Sequence, residues 1–455
     1  MHRRVIQFEL NEISKQAIDH LIAQGKLPYF ARMNQYWSYF KTTSEKQYQH
    51  LEPWIQWISA HTGKSFDEHQ IFRLSDAVSL QHPQIWETLS DAGIESCIVG
   101  SMNATRGKAY QGFFLPDPWS KSGKTYPTAL QPLWDLISRK VQSHATAPIK
   151  LKDLLKGFQL CRQFKLPIQL YKKIALQLFT QKIDPLKKWK MAALFDELLT
   201  GIFKHLLKST QYRYYTLFLN SIAHYQHHYW RQFQPELFDA SIQSPDCHSS
   251  DNPMVYGYEQ YDRIIQLALE LAKDPTNLVI VVSGLSQEPF TDKENESGMN
   301  YYRLINHADL IKCLNLTNCR ALPLMSRDWQ IETKTPTQLM QIKLVLSQIM
   351  INDKPLFSLS QNTPLSLFIE TAITEQIAPE TTIQLGSQSI GQFHQYFKTI
   401  AVKSGHHSGT GSLWLSKPMG IKGNTLPLTA LYPLTLEAFE KVSTQVSWDN
   451  VENIA

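Results

Sequence analysis

The sequence has few cysteines, no long apolar run and little excess charge. Its five cysteines are odd in number and scattered, with no C-x-x-C pair: Cys97, Cys161, Cys247, Cys313 and Cys319. This pattern argues against a disulfide framework and against a cysteine zinc site. No stretch approaches the roughly 20 apolar residues of a transmembrane helix. The formal charge of +5 is too small to indicate nucleic-acid binding by itself.

The first residues, MHRRVIQFELNE, carry two arginines but no apolar run of signal-peptide length. We therefore expect a cytoplasmic protein. Hydrophobic residues make up 43% and aromatic residues 11% of the 455 residues, which is enough for a folded protein with a large core. The length allows one large α/β domain with an insert, or two domains.

Apolar runs that alternate with helical patterns predict the fold. Strand-like runs are found at 5–8, 94–99, 215–219 and 278–282, and helical patterns at 85–92 and 256–272. This order predicts an α/β fold with a doubly wound, mostly parallel central sheet and helices on both faces. Ligands bind at the carboxyl ends of the strands in such sheets. The polar residues that follow the predicted strands are therefore candidate site residues: Asn11, Glu12, Asn103 and Gln287.

The stretch from 51 to 72, LEPWIQWISAHTGKSFDEHQIF, mixes tryptophan with polar side chains that rarely tolerate burial. We interpret it as the wall of a pocket, with Glu52 and Trp54 in a loop, a helical turn over 55–60, and a stop at Thr62-Gly63. The alternative is a helix that begins beside a tryptophan-lined core. The residue types alone leave both interpretations open.

From about 147 to 209 lysines far outnumber acidic residues, and apolar residues recur at helical spacing between them. We interpret residues 147–209 as an all-helical, basic insert or cap, and residues 1–146 and 210–455 as the α/β core. The insert suits peripheral contact with an anionic membrane or glycan, whereas the alternative is a solvated face of ordinary helices. We do not expect nucleic acid as a partner, because no binding motif is present.

Histidines cluster in the segment HYQHH at 224–228. On a helix, His224 shares a face with His227 or His228. Two imidazoles on one face, with His406 or His407 as a third ligand, can hold zinc and leave a position open for water or substrate. A set of hydrogen-bonded pocket histidines without a metal is the alternative.

The run SAHTGKSFDEHQIF resembles the segment that follows the catalytic threonine or serine in the alkaline phosphatase superfamily, in particular in its type I phosphodiesterase/nucleotide pyrophosphatase branch. The matching residues are Thr62, Gly63, His69 and Ile71. The resemblance implies that His227 falls on a metal-binding histidine of the family. It also implies that His407, in an His-x3-Gly frame, falls on the family's last metal ligand.

The chain departs from this family at the residues that carry its chemistry. Pro53 falls at the position of the nucleophile, and Asn11 falls where the first strand of the family ends in a metal-binding aspartate. Three further ligand positions are occupied by Ala223, Gly284 and Leu285. A two-metal site needs carboxylates to bind the cations and to limit their mutual repulsion. The resemblance therefore implies a degenerate metal site that cannot run the usual two-metal phospho-enzyme mechanism.

Two functions are compatible with these residues. The first is a hydrolase or transferase that acts on a phosphate- or sulfate-type ester, such as a sugar- or lipid-linked anion, with Glu52 or Glu12 as general base. The second is an inactive relative that binds a glycan, a lipid head group or a protein. For the enzyme we predict catalysis by Glu52, Glu12, Asn11 and His224, substrate binding by Trp54, Asn103, Gln287 and His406, and one zinc or manganese ion at His227 and His407.

Overall fold

The chain forms two compact units in a computed structural model, which describes residues 4–47, 50–74, 76–107, 110–119, 123–142, 162–238, 251–291, 299–323 and 327–439. The first unit consists of Met1–Gln226, Ser249–Glu288 and His407–Ala455, and the second of His227–His248 and Pro289–His406. These units divide the chain at positions other than the predicted boundaries at 147 and 209, which stay a prediction.

The strands follow one another along the chain in this order: β1 (Arg4–Leu10), β2 (Ser38–Thr43), β3 (Ser96–Val99), β4 (Gly112–Leu115), β5 (Tyr214–Leu219), β6 (Asn277–Ser283), β7 (Ser286–Pro289), β8 (Met299–Leu304), β9 (Cys319–Pro323), β10 (Asp328–Thr333), β11 (Ile349–Ile351), β12 (Lys354–Pro355), β13 (Phe357–Thr363), β14 (Ser366–Thr371), β15 (Thr382–Leu385), β16 (Gln388–Gln392), β17 (Phe397–Lys403), β18 (Gly405–Ser408), β19 (Thr410–Leu415) and β20 (Thr425–Pro427).

The α-helices are α1 (Lys15–Ala23), α2 (Pro28–Tyr36), α3 (Pro53–Thr62), α4 (Phe66–His69), α5 (Ile85–Asp91), α6 (Gln131–Gln142), α7 (Ile168–Ile183), α8 (Lys190–Ser209), α9 (Ser221–Phe233), α10 (Pro253–Leu271), α11 (His307–Cys313), α12 (Pro336–Ser347), α13 (Phe393–Tyr396) and α14 (Leu431–Glu437). Short 3-10 turns cover Asp76–Ser79, Thr128–Leu130, Pro185–Trp189, Pro235–Leu237 and Leu428–Ala430.

The first unit is built on an eight-stranded sheet with the order β20-β2-β19-β6-β1-β5-β3-β4. The run from β6 to β4 is parallel, and β2 is also parallel to β20. Strand β19 is antiparallel to both of its neighbours. Helices surround this sheet, so the predicted α/β fold with a mostly parallel central sheet is confirmed.

Strand β1 lies in the middle of the sheet, between β5 and β6. Its apolar side chains, including Val5, Phe8 and Leu10, are buried, as the unbroken apolar run predicts. The carboxyl ends of β1, β5 and β6 lie at one edge of the sheet because these strands are parallel. The amino end of the antiparallel β19 lies at the same edge. Asn11 and Asn220 follow β1 and β5 at this edge, and His407, on β18, lies three residues before β19 begins there.

The lysine-rich stretch is helical where the structure describes it, in α7 and α8, and residues 147–161 of the predicted insert lie outside the described residues. Helix α8 also supplies a buried carboxylate to the sheet edge. Asp196 accepts hydrogen bonds from the backbone N–H groups of Asn220 (3.2 Å) and Ser221 (2.9 Å), and from the hydroxyl of Tyr261 (2.9 Å). Asp196 thus fixes the turn that joins β5 to α9.

The second unit has its own core and its own small sheets. One sheet has the order β13-β14-β10-β9 and another the order β12-β11-β15-β16, while β8 pairs with β17. Their inward side chains form a separate apolar cluster that includes Trp329, Ile331 and Phe393. The short strands across 310–400 explain why the sequence shows no clear period there.

Among the described residues, no helix of either unit is both long and apolar enough to cross a lipid bilayer.

Candidate functional site

Asn11 joins three elements of the first unit at the carboxyl edge of the sheet. Its side-chain oxygen accepts a hydrogen bond from the indole Nε1 of Trp57 on α3 (2.8 Å). Its side-chain nitrogen donates to Asn220 Oδ1 after β5 (2.7 Å) and to Glu12 Oε1 (2.9 Å). The oxygen that a metal would take is therefore engaged by an N–H donor, and Asn11 holds its neighbours in place.

Glu12 is buried and held from several sides. Its backbone has a φ of 58°, a left-handed conformation that is uncommon outside glycine and asparagine. Its backbone carbonyl accepts a hydrogen bond from the side chain of Gln226, and its carboxylate accepts from Asn11 and from Gln287 Nε2. Three side chains therefore fix both the uncommon backbone conformation of Glu12 and the position of its carboxylate.

His407 lies between two carboxylates. Its Nε2 is 3.3 Å from Glu12 Oε2, and its Nδ1 is 3.9 Å from Glu52 Oε2. Glu12 is buried, whereas the Glu52 side chain is 37% exposed. Pro53 begins α3 directly after Glu52 and leaves Glu52 in an extended conformation at the helix start. One side of the imidazole therefore faces an internal carboxylate and the other a carboxylate that reaches solvent.

Three residues of this site offer the atoms that a divalent cation takes. Glu12 offers a carboxylate oxygen and His407 an imidazole nitrogen, which are common zinc ligands. The Oε1 atom of Gln287 is buried and accepts no hydrogen bond from the described part of the chain. The donor set fits one cation, because it holds one carboxylate and the side-chain oxygen of Asn11 already accepts a hydrogen bond from Trp57.

The other predicted site residues are distributed more widely. His224 is exposed on the first turn of α9. His227 and His406 belong to the second unit, where His227 Nδ1 is 3.2 Å from the carbonyl oxygen of Gly405 and the His406 ring is 5.5 Å from that of Phe290. Their proposed roles, as catalytic group, metal ligand and substrate contact, stay predictions.

Trp54 and Asn103 form hydrogen bonds to the loop that follows α4 in the first unit. The Asn103 side-chain amide donates to the backbone carbonyls of Trp54 (3.2 Å) and Arg73 (3.1 Å), and Trp54 Nε1 donates to the carbonyl of Phe72 (3.0 Å). Asn103 is fully buried, with a φ of 52°. These contacts join the end of β3 to the chain after α4, and the predicted role of both residues in substrate binding stays a prediction.

Sequence reasoning missed three residues that shape the site: Trp57, Asn220 and Gln226. Asn220 carried a signal, because it follows β5 directly in the position that Asn11 takes after β1. Trp57 carried a weaker one as a tryptophan beside polar residues. Gln226 carried none, because its contact with Glu12 spans 214 residues of sequence.

His69, which matches the family's histidine after Thr-Gly, is a structural residue at the end of α4. Its Nδ1 accepts the backbone N–H of Ile71 (3.0 Å), which places the ring proton on Nε2, 3.1 Å from Ser59 Oγ. Burial, with a smaller effect from His82, lowers the pKa of His69 from 6.5 to about 4. A protonated His69 would lose the bond to Ile71.

Acidification is therefore expected to destabilise the protein through His69. Between the two pKa values the unfolded chain binds a proton that the folded chain does not, so stability falls as the pH falls from about 6.5 towards 4. From pH 7 to pH 5 we expect a loss of about 2 kcal/mol in the free energy of unfolding. Urea denaturation at both pH values measures it. His69→Asn should remove this difference, and His20→Gln, at a half-buried position of α1, should keep it. An equal loss in wild type and His69→Asn would contradict the assignment.

The fold and the site define the first unit as an α/β protein with a Glu-His-Glu arrangement at the carboxyl edge of its sheet. No protein-family model matches the chain, and no curated protein matches it significantly. Among solved structures it is similar to phosphonoacetate hydrolase from Sinorhizobium meliloti 1021 in complex with phosphonoformate, at 12% identity over 97% of this chain and 96% of that chain, with a TM-score of 0.46.

Two further similar structures are the human and murine forms of ectonucleotide pyrophosphatase/phosphodiesterase 5. The human protein is 10% identical over 96% of this chain and 94% of its own, with a TM-score of 0.47. The murine protein is 11% identical over 99% of both chains, with a TM-score of 0.43. At these values nothing about the activity of this chain follows from the likeness.

Proposed function

We propose that the chain is a hydrolase or transferase that acts on a phosphate- or sulfate-type ester, with His407 as the group that transfers protons. The observation that carries the proposal is the position of the His407 imidazole between Glu12 and Glu52. A buried carboxylate beside one ring nitrogen orients a histidine and stabilises its protonated form. The other nitrogen, on the side of half-exposed Glu52, is then the one that meets water or the leaving group.

The catalytic route differs from one through a phospho-enzyme. Pro53 offers no nucleophile at the start of α3. Water activated by His407 is therefore the attacking group in a hydrolase of this kind, and a second substrate hydroxyl takes its place in a transferase. In this proposal His407 is the base and Glu12 orients its ring. Glu52, the more exposed carboxylate, accepts a hydrogen bond from the attacking nucleophile.

The charge of the site supports one bound cation. Two carboxylates beside one imidazole repel an anionic ester, and a divalent ion removes this repulsion. Glu12 and Gln287 would contribute ligands to a zinc or manganese ion, and His407 would stay outside this set as the proton-transferring group. When bound, such an ion polarises the ester oxygen and lowers the pKa of bound water.

A second candidate function is binding without turnover. It is favoured by Asn11, whose three polar contacts are all made within the protein, and by Pro53. A site of this kind would recognise a glycan, a lipid head group or a protein through Glu52 and neighbouring side chains. We further propose a cytoplasmic location and an anionic small-molecule, glycan-linked or lipid-linked substrate.

Turnover across ester classes tests the proposal. Purified protein is assayed with an aryl phosphate, a phosphodiester and an aryl sulfate, with and without added zinc or manganese, and its metal content is measured. We expect hydrolysis of at least one class that rises with metal, and loss of bound metal in Glu12→Gln. No turnover in any class, together with a ligand-induced rise in melting temperature, would favour binding alone.

A further inference from the structure

Helix α7 exposes apolar side chains along a full face. Leu176, Phe179 and Ile183 are 65%, 63% and 71% exposed, and Ile168 and Leu186 are also exposed. At 100° per residue the α7 members of this set fall within one quarter of the helix surface. Single exposed apolar residues are ordinary, but a continuous stripe of this kind marks an interaction surface.

The opposite face of α7 already has its partner within the first unit. Leu170 and Gln177 are buried, and Gln177 Nε2 donates to the carbonyl of Lys187 (2.7 Å). Lys173 pairs with Glu197 on α8 at 2.8 Å. The helix is therefore anchored on one side, and the exposed stripe is not needed for packing against α8.

Lysines accompany the exposed stripe. Lys172 lies within it and Lys182 beside it, both exposed, and Lys188 is exposed just beyond the helix. Asp184 is the one acidic residue between 168 and 190, and it is 3.6 Å from Lys187. Long lysine side chains can place their ammonium groups at the level of lipid phosphates while apolar neighbours enter the acyl boundary.

We propose that this exposed face of α7, formed by Ile168, Lys172, Leu176, Phe179 and Ile183, docks onto an anionic lipid surface. A second copy of the chain fits less well, because a symmetric contact would bring Lys172 and Lys182 of both copies together. An anionic bilayer offers an acyl boundary for the apolar side chains and phosphates for the lysines. The helix would lie in the plane of the interface, held by apolar insertion and by attraction to lipid phosphates.

Flotation with vesicles tests the proposal. The full chain is mixed with vesicles of phosphatidylcholine alone or with added phosphatidylserine. We expect binding to the phosphatidylserine vesicles and at least about tenfold weaker binding to phosphatidylcholine alone. Lys172→Glu/Lys182→Glu and, separately, Leu176→Ser/Phe179→Ser should each weaken binding by at least about tenfold. All four side chains are exposed or half-exposed, so the variants should keep the circular dichroism spectrum of the wild type.

Matched controls lie on the second unit. Met340→Ser/Leu344→Ser removes another exposed apolar pair, on α12, and Lys398→Glu reverses an exposed charge on β17. Both should float as the wild type does. The proposal is overturned if the wild type does not float with phosphatidylserine vesicles, or if the α7 variants float as well as the controls. A change of oligomeric state in the α7 variants without flotation of the wild type would assign the face to a second copy instead.

Discussion

If the chain is the proposed ester hydrolase or transferase, replacing His407 by glutamine is expected to lower kcat by about 10²–10⁴-fold, the usual contribution of a positioned acid or base. Glutamine keeps the length and a hydrogen bond towards Glu12 but cannot exchange a proton near neutral pH. KM should change little, because the imidazole contacts the reacting proton more than the body of the substrate. Steady-state kinetics on the preferred ester measure both quantities.

The pH profile separates proton transfer from a structural role. If His407 transfers the proton, the part of the kcat–pH profile that follows its protonation, here called the titration limb, should be absent in His407→Gln. A site that is only distorted would keep this limb at a lower rate. Glu12→Gln should reduce kcat and shift that limb, because Glu12 stabilises the protonated ring. His82→Gln, at a half-buried position outside the site, is the matched control and should behave as wild type. A variant His407→Gln that keeps more than about a third of kcat would rule out the role.

Replacing Glu9 by alanine is expected to cost about 3–5 kcal/mol of stability. Glu9 is fully buried on β1, and its carboxylate accepts hydrogen bonds from Gln7 (2.8 Å) and Ser101 (2.8 Å) and contacts His61 Nε2 at 2.9 Å. His61 is itself buried against Trp57. Alanine would remove the acceptor of Gln7 Nε2 and the partner of His61 Nε2 in the core, while Ser101 Oγ keeps Thr216 Oγ1 at 2.9 Å. Urea denaturation, with hydrogen exchange of the β1 peptide, measures the loss.

A double variant tests whether the cost comes from the unpaired partner. Glu9→Leu/His61→Leu removes both members of the pair and fills their space with apolar groups. It should be more stable than Glu9→Ala, because a buried polar pair is often replaceable by apolar residues while one stranded member is not. A loss of less than about 1 kcal/mol in Glu9→Ala would show that water reaches this part of the core.

The sequence predicted those parts of the structure that depend on local pattern. The central strands were visible as apolar runs, and the position of Asn11 and Glu12 followed from the rule that parallel strands present polar residues at their carboxyl ends. The end of α3 was marked by Gly63, whose φ is 68°, whereas the helix begins at Pro53, two residues before the predicted helical turn, so the prediction of Trp54 in a loop was wrong. In each case the signal lies within a few residues of the feature.

Contacts between distant residues were not predictable in this way. The Glu9–His61 pair joins residues 52 positions apart, and nothing at either position shows which carboxylate a core histidine will meet. The same holds for the second unit, whose strands of two to seven residues are too short to show a period. The sequence also gives no sign that His406 and His407 belong to different units, because the two residues are adjacent and of one type.

The contact made by Asp196 has a consequence for any attempt to dissect the molecule. The lysine-rich stretch resembles an insert that could be deleted. Its helix α8, however, carries Asp196, whose carboxylate accepts hydrogen bonds from the backbone N–H groups of Asn220 and Ser221. Excising that stretch would strand two main-chain donors beneath α9 and release Asn220 from its contact with Asn11. The lysine-rich helices and the sheet edge that carries Asn11 and Asn220 therefore depend on each other, and a deletion in the first should destabilise the second.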